Sequence, residues 1–260
     1  MTKAILSILI GMLSACGSTP PPRLPDAVEQ TQAADKDARR ALRSGDLLRA
    51  QQGFAKALRL QQSLDDTAGA ATTIINLATV THQLHDDKDA LIWLDKILLE
   101  KATIYPAESY LLAWFRKAVI LTNLARLAEA DLSLTQAESL CGKKCSLRFG
   151  LDGLRARILL LEGDTQGALA LAKNLNKAEA GKEEQANALR IIAAAEEKLA
   201  KYPEALQHYQ ASLEIDKELG LGARIGEDLS GMARIAQQLG HEQEASAYLR
   251  RAELINSSLH

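Results

Sequence analysis

Proline all but disappears after Pro25: only Pro106 and Pro203 interrupt the rest of the chain. Aromatic residues make up just 4%. A barrel or sandwich of short strands needs aromatic and β-branched alternation punctuated by turn residues, and neither is present. Charge of one sign is also lacking, with 31 Lys+Arg against 33 Asp+Glu. That balance gives no long-range field to gather nucleic acid, and no nucleic-acid partner is expected. Three cysteines are too few for a disulfide-built scaffold or a zinc cluster. No G-x-S-x-G, H-E-x-x-H or Walker pattern occurs, so no catalytic residues, cofactor or metal are expected. Leu and Ala are left to fill the interior of a chain that is 47% hydrophobic. The expectation is an all-helical protein.

The first segment differs from the rest. Lys3 is the only charge before Cys16, and the apolar run Ala4–Leu13 is followed by "SACGSTPPPRLP". A membrane span needs about twenty apolar residues, so this run is too short to be one. A charged start, a short apolar stretch and small residues describe a secretory signal. Leu13-Ser14-Ala15-Cys16 resembles the lipobox of bacterial lipoproteins. The resemblance implies cleavage before Cys16, lipidation of its thiol, and stable anchoring by several acyl chains. Residues 1–15 are then a signal peptide and 16–30 a Pro-rich tether, with the folded domain over 31–260. Gly17, where an Asp would favour inner-membrane retention, implies the outer membrane, with the domain facing the periplasm.

The domain repeats. Ala50, Ala90, Ala130, Ala168, Ala205 and Ala245 are spaced by 40, 40, 38, 37 and 40 residues. Four positions after each stands Phe54, Leu94, Leu134, Ala172, Tyr209 or Leu249, and seven after stands Ala57, Ile97, Ala137, Leu175, Ser212 or Ala252. These offsets share one helix face. Twelve positions before each anchor lies another alanine: Ala38, Ala78, Ala118, Ala156, Ala193 and Ala233. Five before the anchor comes a turn position, held by Gly45, Gly163 and Gly240 in three repeats; glycine suits the left-handed residue that ends a helix. The unit is therefore helix, tight turn, helix. It resembles the tetratricopeptide repeat (TPR), with "INLA" and "GDLLRAQQGFAKAL" the clearest matches. The period of 37–40 exceeds the 34 residues of that family, through an extra helical turn or longer links. HEAT-type repeats share the longer period, but the glycine turn and the small-bulky-small spacing argue against them. The resemblance implies an all-α, right-handed α-α superhelix of about six repeats, with the first helix of each lining a concave groove. No long polar helix follows repeat six. Such an end can serve as a homodimer contact, or be sealed by Tyr248, Arg250 and Arg251.

Cys141 and Cys145, in "CGKKC", lie too close together for an oxidising periplasm to leave reduced, and a disulfide is expected. "THQLHDD" gathers His82, His85, Asp86 and Asp87, but the Asp residues are ordinary helix starts. "GLGARIG" (Gly220–Gly226) reads as a loop between helices. If the alanine of each first helix packs inward, the groove presents Ile75, Thr79, His82, Leu112, Phe115, Val119 and Thr122, with Arg39, Arg157, Arg190 and Arg234 making it partly basic toward its ends, countered by Asp35, Glu197 and Glu227. Asn76 and Arg116 sit at offsets of the carboxylate clamp of chaperone-binding TPR proteins, but Asp35, Arg39 and Leu112 replace its other members. That activity is not expected. The resemblances together imply a lipid-anchored scaffold that binds protein partners of the cell envelope, in the manner of pilotins or of adaptors for peptidoglycan enzymes. A periplasmic module binding a small ligand or glycan is the alternative.

Overall fold

A computed structural model describes residues 25–100, 104–142, 145–176 and 180–258. The described residues form twelve helices and no strand. They pair as α1 (Asp26–Arg43) with α2 (Leu47–Ser63), α3 (Thr67–Gln83) with α4 (Asp87–Leu98), and α5 (Ala107–Asn123) with α6 (Leu127–Leu140). The second half continues with α7 (Arg148–Glu162) and α8 (Thr165–Leu175), α9 (Lys182–Lys198) and α10 (Tyr202–Leu219), and α11 (Gly222–Gln238) and α12 (Glu242–Ser258). No described helix is long and apolar enough to cross a membrane. Cys16 and the tether up to residue 24 lie outside the described residues. Residues 26–30, expected as tether, are instead the first turns of α1. Pro25 sets the entry, and Asp26 and Glu29 place negative charge at the positive end of the helix dipole.

The turn inside each repeat has one geometry. The residue five before the anchor is left-handed in all six: Gly45, Gly163 and Gly240, and equally His85, Ala125 and Ala200. The following backbone N–H reaches back over the turn each time, from Asp46 to Ala41, Asp86 to Thr81, Arg126 to Leu121, Asp164 to Leu159, Lys201 to Glu196 and His241 to Ala236, at 2.8–3.0 Å. This is the Schellman closure, which satisfies carbonyls the helix end leaves open. Asp46, Asp86 and Asp164 then cap the second helix by accepting from the N–H three residues on.

Both alanine columns are buried without remainder; all twelve alanines are at most 1% exposed. A small residue on each helix lets the backbones close up, and the residue four along fills the neighbouring gap, as Phe54, Leu94 and Leu134 do. Leu249, on α12, is the exception at 39% exposed, with no described helix packed over that face. Tyr248 packs on the last core cluster, with the Arg251 guanidinium 6.0 Å from its ring. The long period comes from both sources. α2 and α10 are long helices of 17 and 18 residues, whereas α4, α6 and α8, of 12, 14 and 11, are followed by longer links. "GLGARIG" is only partly a loop: Gly220 is left-handed, but Gly222 opens α11.

First helices pack on the first helices of the next repeat, α3 on α5, α5 on α7, α7 on α9 and α9 on α11. Successive second helices make no comparable contact among the described residues. The stack therefore curves with the first helices inside. Its loosest junction is between repeats three and four, where α5 barely touches α7. Two side-chain ties cross that junction on the outer side: Arg155 bonds Asp131 and, at 2.8 Å, Glu138. Cys141 and Cys145, their Cα atoms 5.3 Å apart, are joined by a disulfide at its end.

A groove along the first helices of repeats three to six

Two adjoining cavities, of about 550 and 300 Å³, run along the inner face. The smaller lies between α5, α7 and α9, and the larger between α7, α9 and α11. Arg157, Asn187, Arg190 and Arg224 line both, so the two form one groove. Each helix contributes through positions three or four apart. α5 presents Phe115, Arg116 and Val119, α7 presents Gly150, Gly153 and Arg157, and α9 presents Glu183, Asn187 and Arg190.

The groove does not extend to repeat two. Ile75, expected on its wall, is buried in the same cluster as Tyr110 and Ala113, so α5 covers it. Thr79 turns its hydroxyl back to the Ile75 carbonyl at 2.9 Å. Thr122 does the same to Ala118 at 2.7 Å and is buried. His82 is occupied between helices: Nδ1 bonds Asp87, and Nε2 lies 3.1 Å from the Asn123 amide. Leu112 packs half-buried on the first core cluster. Phe115 and Val119 do reach the groove, half-buried.

The arginines divide. Arg190, expected as a free groove cation, is an interior residue with 12% of its side chain exposed. It donates to Asp228 at 2.8 Å, to Asp216, and to the Ser212 hydroxyl at 3.1 Å. Asp216 and Asp228 are completely buried, so a single guanidinium joins α9, α10 and α11. One cation shared between two carboxylates does not fully offset the desolvation of Asp228. Burial pushes the Asp228 carboxyl up to about 6 against the pull of Arg190, with repulsion from Asp216 adding to the rise. Arg234 is likewise engaged, donating to Glu197 at 3.0 and 3.1 Å and to the Tyr209 hydroxyl at 3.3 Å. Arg39 pairs with Asp35 within α1. Arg157 alone of the four expected arginines lines the groove without such a partner among the described residues.

Sequence reasoning missed Gly150, Gly153 and Asn187. Two glycines inside an amphipathic helix were the available signal, since each costs about 1 kcal/mol against alanine. A Cβ at Gly150 would lie nearest the Phe115 ring, at 3.4 Å, and one at Gly153 would press on the Asn187 amide at 2.9 Å. Among the described residues no group of His, Cys, Asp and Glu is arranged to hold a metal ion.

No protein-family model and no curated protein sequence matches the chain. Solved structures do. The Cut9–Hcn1 hetero-tetramer of the APC/C superposes with a TM-score of 0.66 at 14% identity, over 88% of this chain. A Rap protein complexed with competence and sporulation factor gives 0.64 at 13% identity over 89%. Putative kinesin light chain TPR-like repeats from Podospora anserina give 0.56 at 16% over 76% of this chain and 99% of that one. The fold is a TPR-like solenoid. This TPR-like solenoid spans 40% of the Cut9–Hcn1 chain and 66% of the Rap chain. Its last four repeats carry the groove, and in repeat two Ile75 is buried and His82 is held by Asp87.

Proposed function

We propose that this chain is a lipid-anchored scaffold of the bacterial cell envelope, which holds a segment of a partner protein in the groove of repeats three to six. The observation that carries the reading is the hollow itself. Packing closes the inner face at Ile75 and His82, while from Phe115 onward four successive first helices leave it open. A continuous groove that sets apolar side chains such as Phe115, Leu154 and Ile191 among many charged and polar ones suits a polypeptide segment. Lipidation of Cys16 would place the domain at the periplasmic face of the outer membrane, free to serve the assembly or localisation of an envelope machine, as a pilotin or a peptidoglycan-enzyme adaptor does.

Two variants test the two halves separately. Cys16→Ala is expected to lose its acyl chains and leave the membrane fraction; fractionation identical to wild type would refute the anchor. Phe115→Ala with Val119→Ala should lose partner capture in envelope crosslinking while the helical circular-dichroism signal stays native. Unchanged capture would move the binding site off the groove.

A further inference from the structure

We propose that the groove selects an acidic polypeptide segment, whose carboxylates bind the guanidinium groups of Arg116 and Arg157. This rests on the groove being the docking face and adds the chemistry it reads. Five arginines line the two cavities. Three are satisfied within the protein: Arg190 by Asp216 and Asp228, Arg224 by Glu227 at 3.0 Å, and Arg234 by Glu197. Arg116 and Arg157 have no carboxylate, hydrogen-bond acceptor or aromatic ring as partner among the described residues. Both are half-buried, and both line the smaller cavity.

A guanidinium held partly out of water without a counter-charge is a cost that folded proteins normally avoid by pairing it. Burial lowers the proton affinity of Arg116. For Arg157 burial acts first, opposed by Glu227 and reinforced by Arg224 and Arg190. The side chains remain charged, so an anion from outside is the missing partner.

The space beside them is kept open at further cost. Gly150 leaves room in α7 two turns before Arg157, where an alanine would make only ordinary contact with Phe115, and Gly153, one turn before it, makes space for the Asn187 amide. The Asn187 amide borders the same hollow without a hydrogen-bond partner among the described residues and supplies a neutral donor. Three carboxylates share the smaller cavity: Asp216 is taken up by Arg190, Glu183 is exposed at the rim, and Glu184 is half-buried at the start of α9. The chain's net charge of −2 gives no long-range attraction to anions, so recognition must be short-range. A small anion would use only the smaller cavity. Apolar wall continues from Phe115 and Leu154 to Leu160 and Ile191 in the larger one, and a chain that alternates acidic and apolar side chains uses both.

The test is selection of random dodecapeptides displayed on phage against the immobilised full chain, followed by titration of the enriched peptide carrying a fluorescent label. The expected result is enrichment of Asp or Glu beside apolar residues. Arg116→Gln with Arg157→Gln should weaken the peptide about tenfold to a hundredfold, the range for losing charge-assisted hydrogen bonds. Replacing the peptide's carboxylates by amides should weaken it equally, and combining both changes should add little. Without peptide, the double variant should melt at or above the wild-type temperature. A lower melting temperature would assign the two guanidinium groups to the fold and overturn the proposal. Enriched peptides with no acidic excess, lost on Phe115→Ala but not on the arginine changes, would overturn it and leave the docking groove standing. No enrichment, or peptides indifferent to all these changes, would overturn both. Displacement of the peptide by an equal concentration of succinate would make this a small-dicarboxylate site, contrary to the proposal.

Discussion

Replacing Gly231 by alanine would normally stabilise a helix, because an interior glycine costs about 0.5–1 kcal/mol against alanine. In α11 the sign should reverse. A Cβ there would stand 2.5, 2.6 and 2.8 Å from three carbons of the Tyr209 ring. The ring cannot step aside: Tyr209 is 2% exposed, and its hydroxyl is held by Glu197 and Arg234, each at 3.3 Å. Overpacking of this kind costs about 1–3 kcal/mol, and losing one hydroxyl bond adds about 0.5–1.5 kcal/mol. After subtracting the helix-propensity gain, Gly231→Ala should destabilise by about 0.5–4 kcal/mol. For a chain of this size that lowers the melting temperature by about 1–16 °C, readable by circular dichroism. Gly150→Ala is the internal control. Its Cβ would make a contact of 3.4 Å with the Phe115 ring, so it should gain about 0.5–1 kcal/mol while narrowing the groove. A melting temperature for Gly231→Ala equal to or above wild type would refute the packing of Tyr209 against α11.

Ala118→Leu and Ala156→Leu should each cost about 1–3 kcal/mol, since both sites are fully buried at helix crossings; denaturant midpoints unchanged at both would contradict the repeat register. A pH effect should follow from Asp228. Its folded-state pKa of about 6 lies above the ordinary carboxylate value, so its contribution is complete below about pH 4 and is lost as pH rises through about 6. The stability of wild type relative to Asp228→Asn should therefore grow by about 1–3 kcal/mol as pH falls from neutral toward 4. A pH-independent difference in urea midpoints would mean that burial does not perturb this group.

The helix pairs were readable because their signal is periodic: two alanine columns, with a bulky residue four after the second, state which faces meet. Half of the turns were readable from glycine. His85, Ala125 and Ala200 hold the same left-handed geometry with nothing in their chemistry to announce it, since the Schellman bonds of the flanking backbone impose it. The groove was readable only in part. Whether Ile75 faces a channel or a core depends on how closely α5 lies against α3, which no offset within one helix encodes. The partners of Arg190 stand 26 and 38 residues away in sequence, so its burial emerges only once three helices are stacked. Gly150 and Gly153 were visible as composition, but a hollow becomes legible only beside Phe115 and Asn187.

Hydrogen exchange of the full chain with and without the selected acidic peptide tests the central claim most directly. A segment lying in the groove orders the helices it touches and slows the opening of their amides. The account predicts added protection in α5, α7 and α9, weaker protection in α11, and none in α1 to α4. Protection concentrated in the outer helices α4, α6 and α8, or spread evenly over the solenoid, would contradict it.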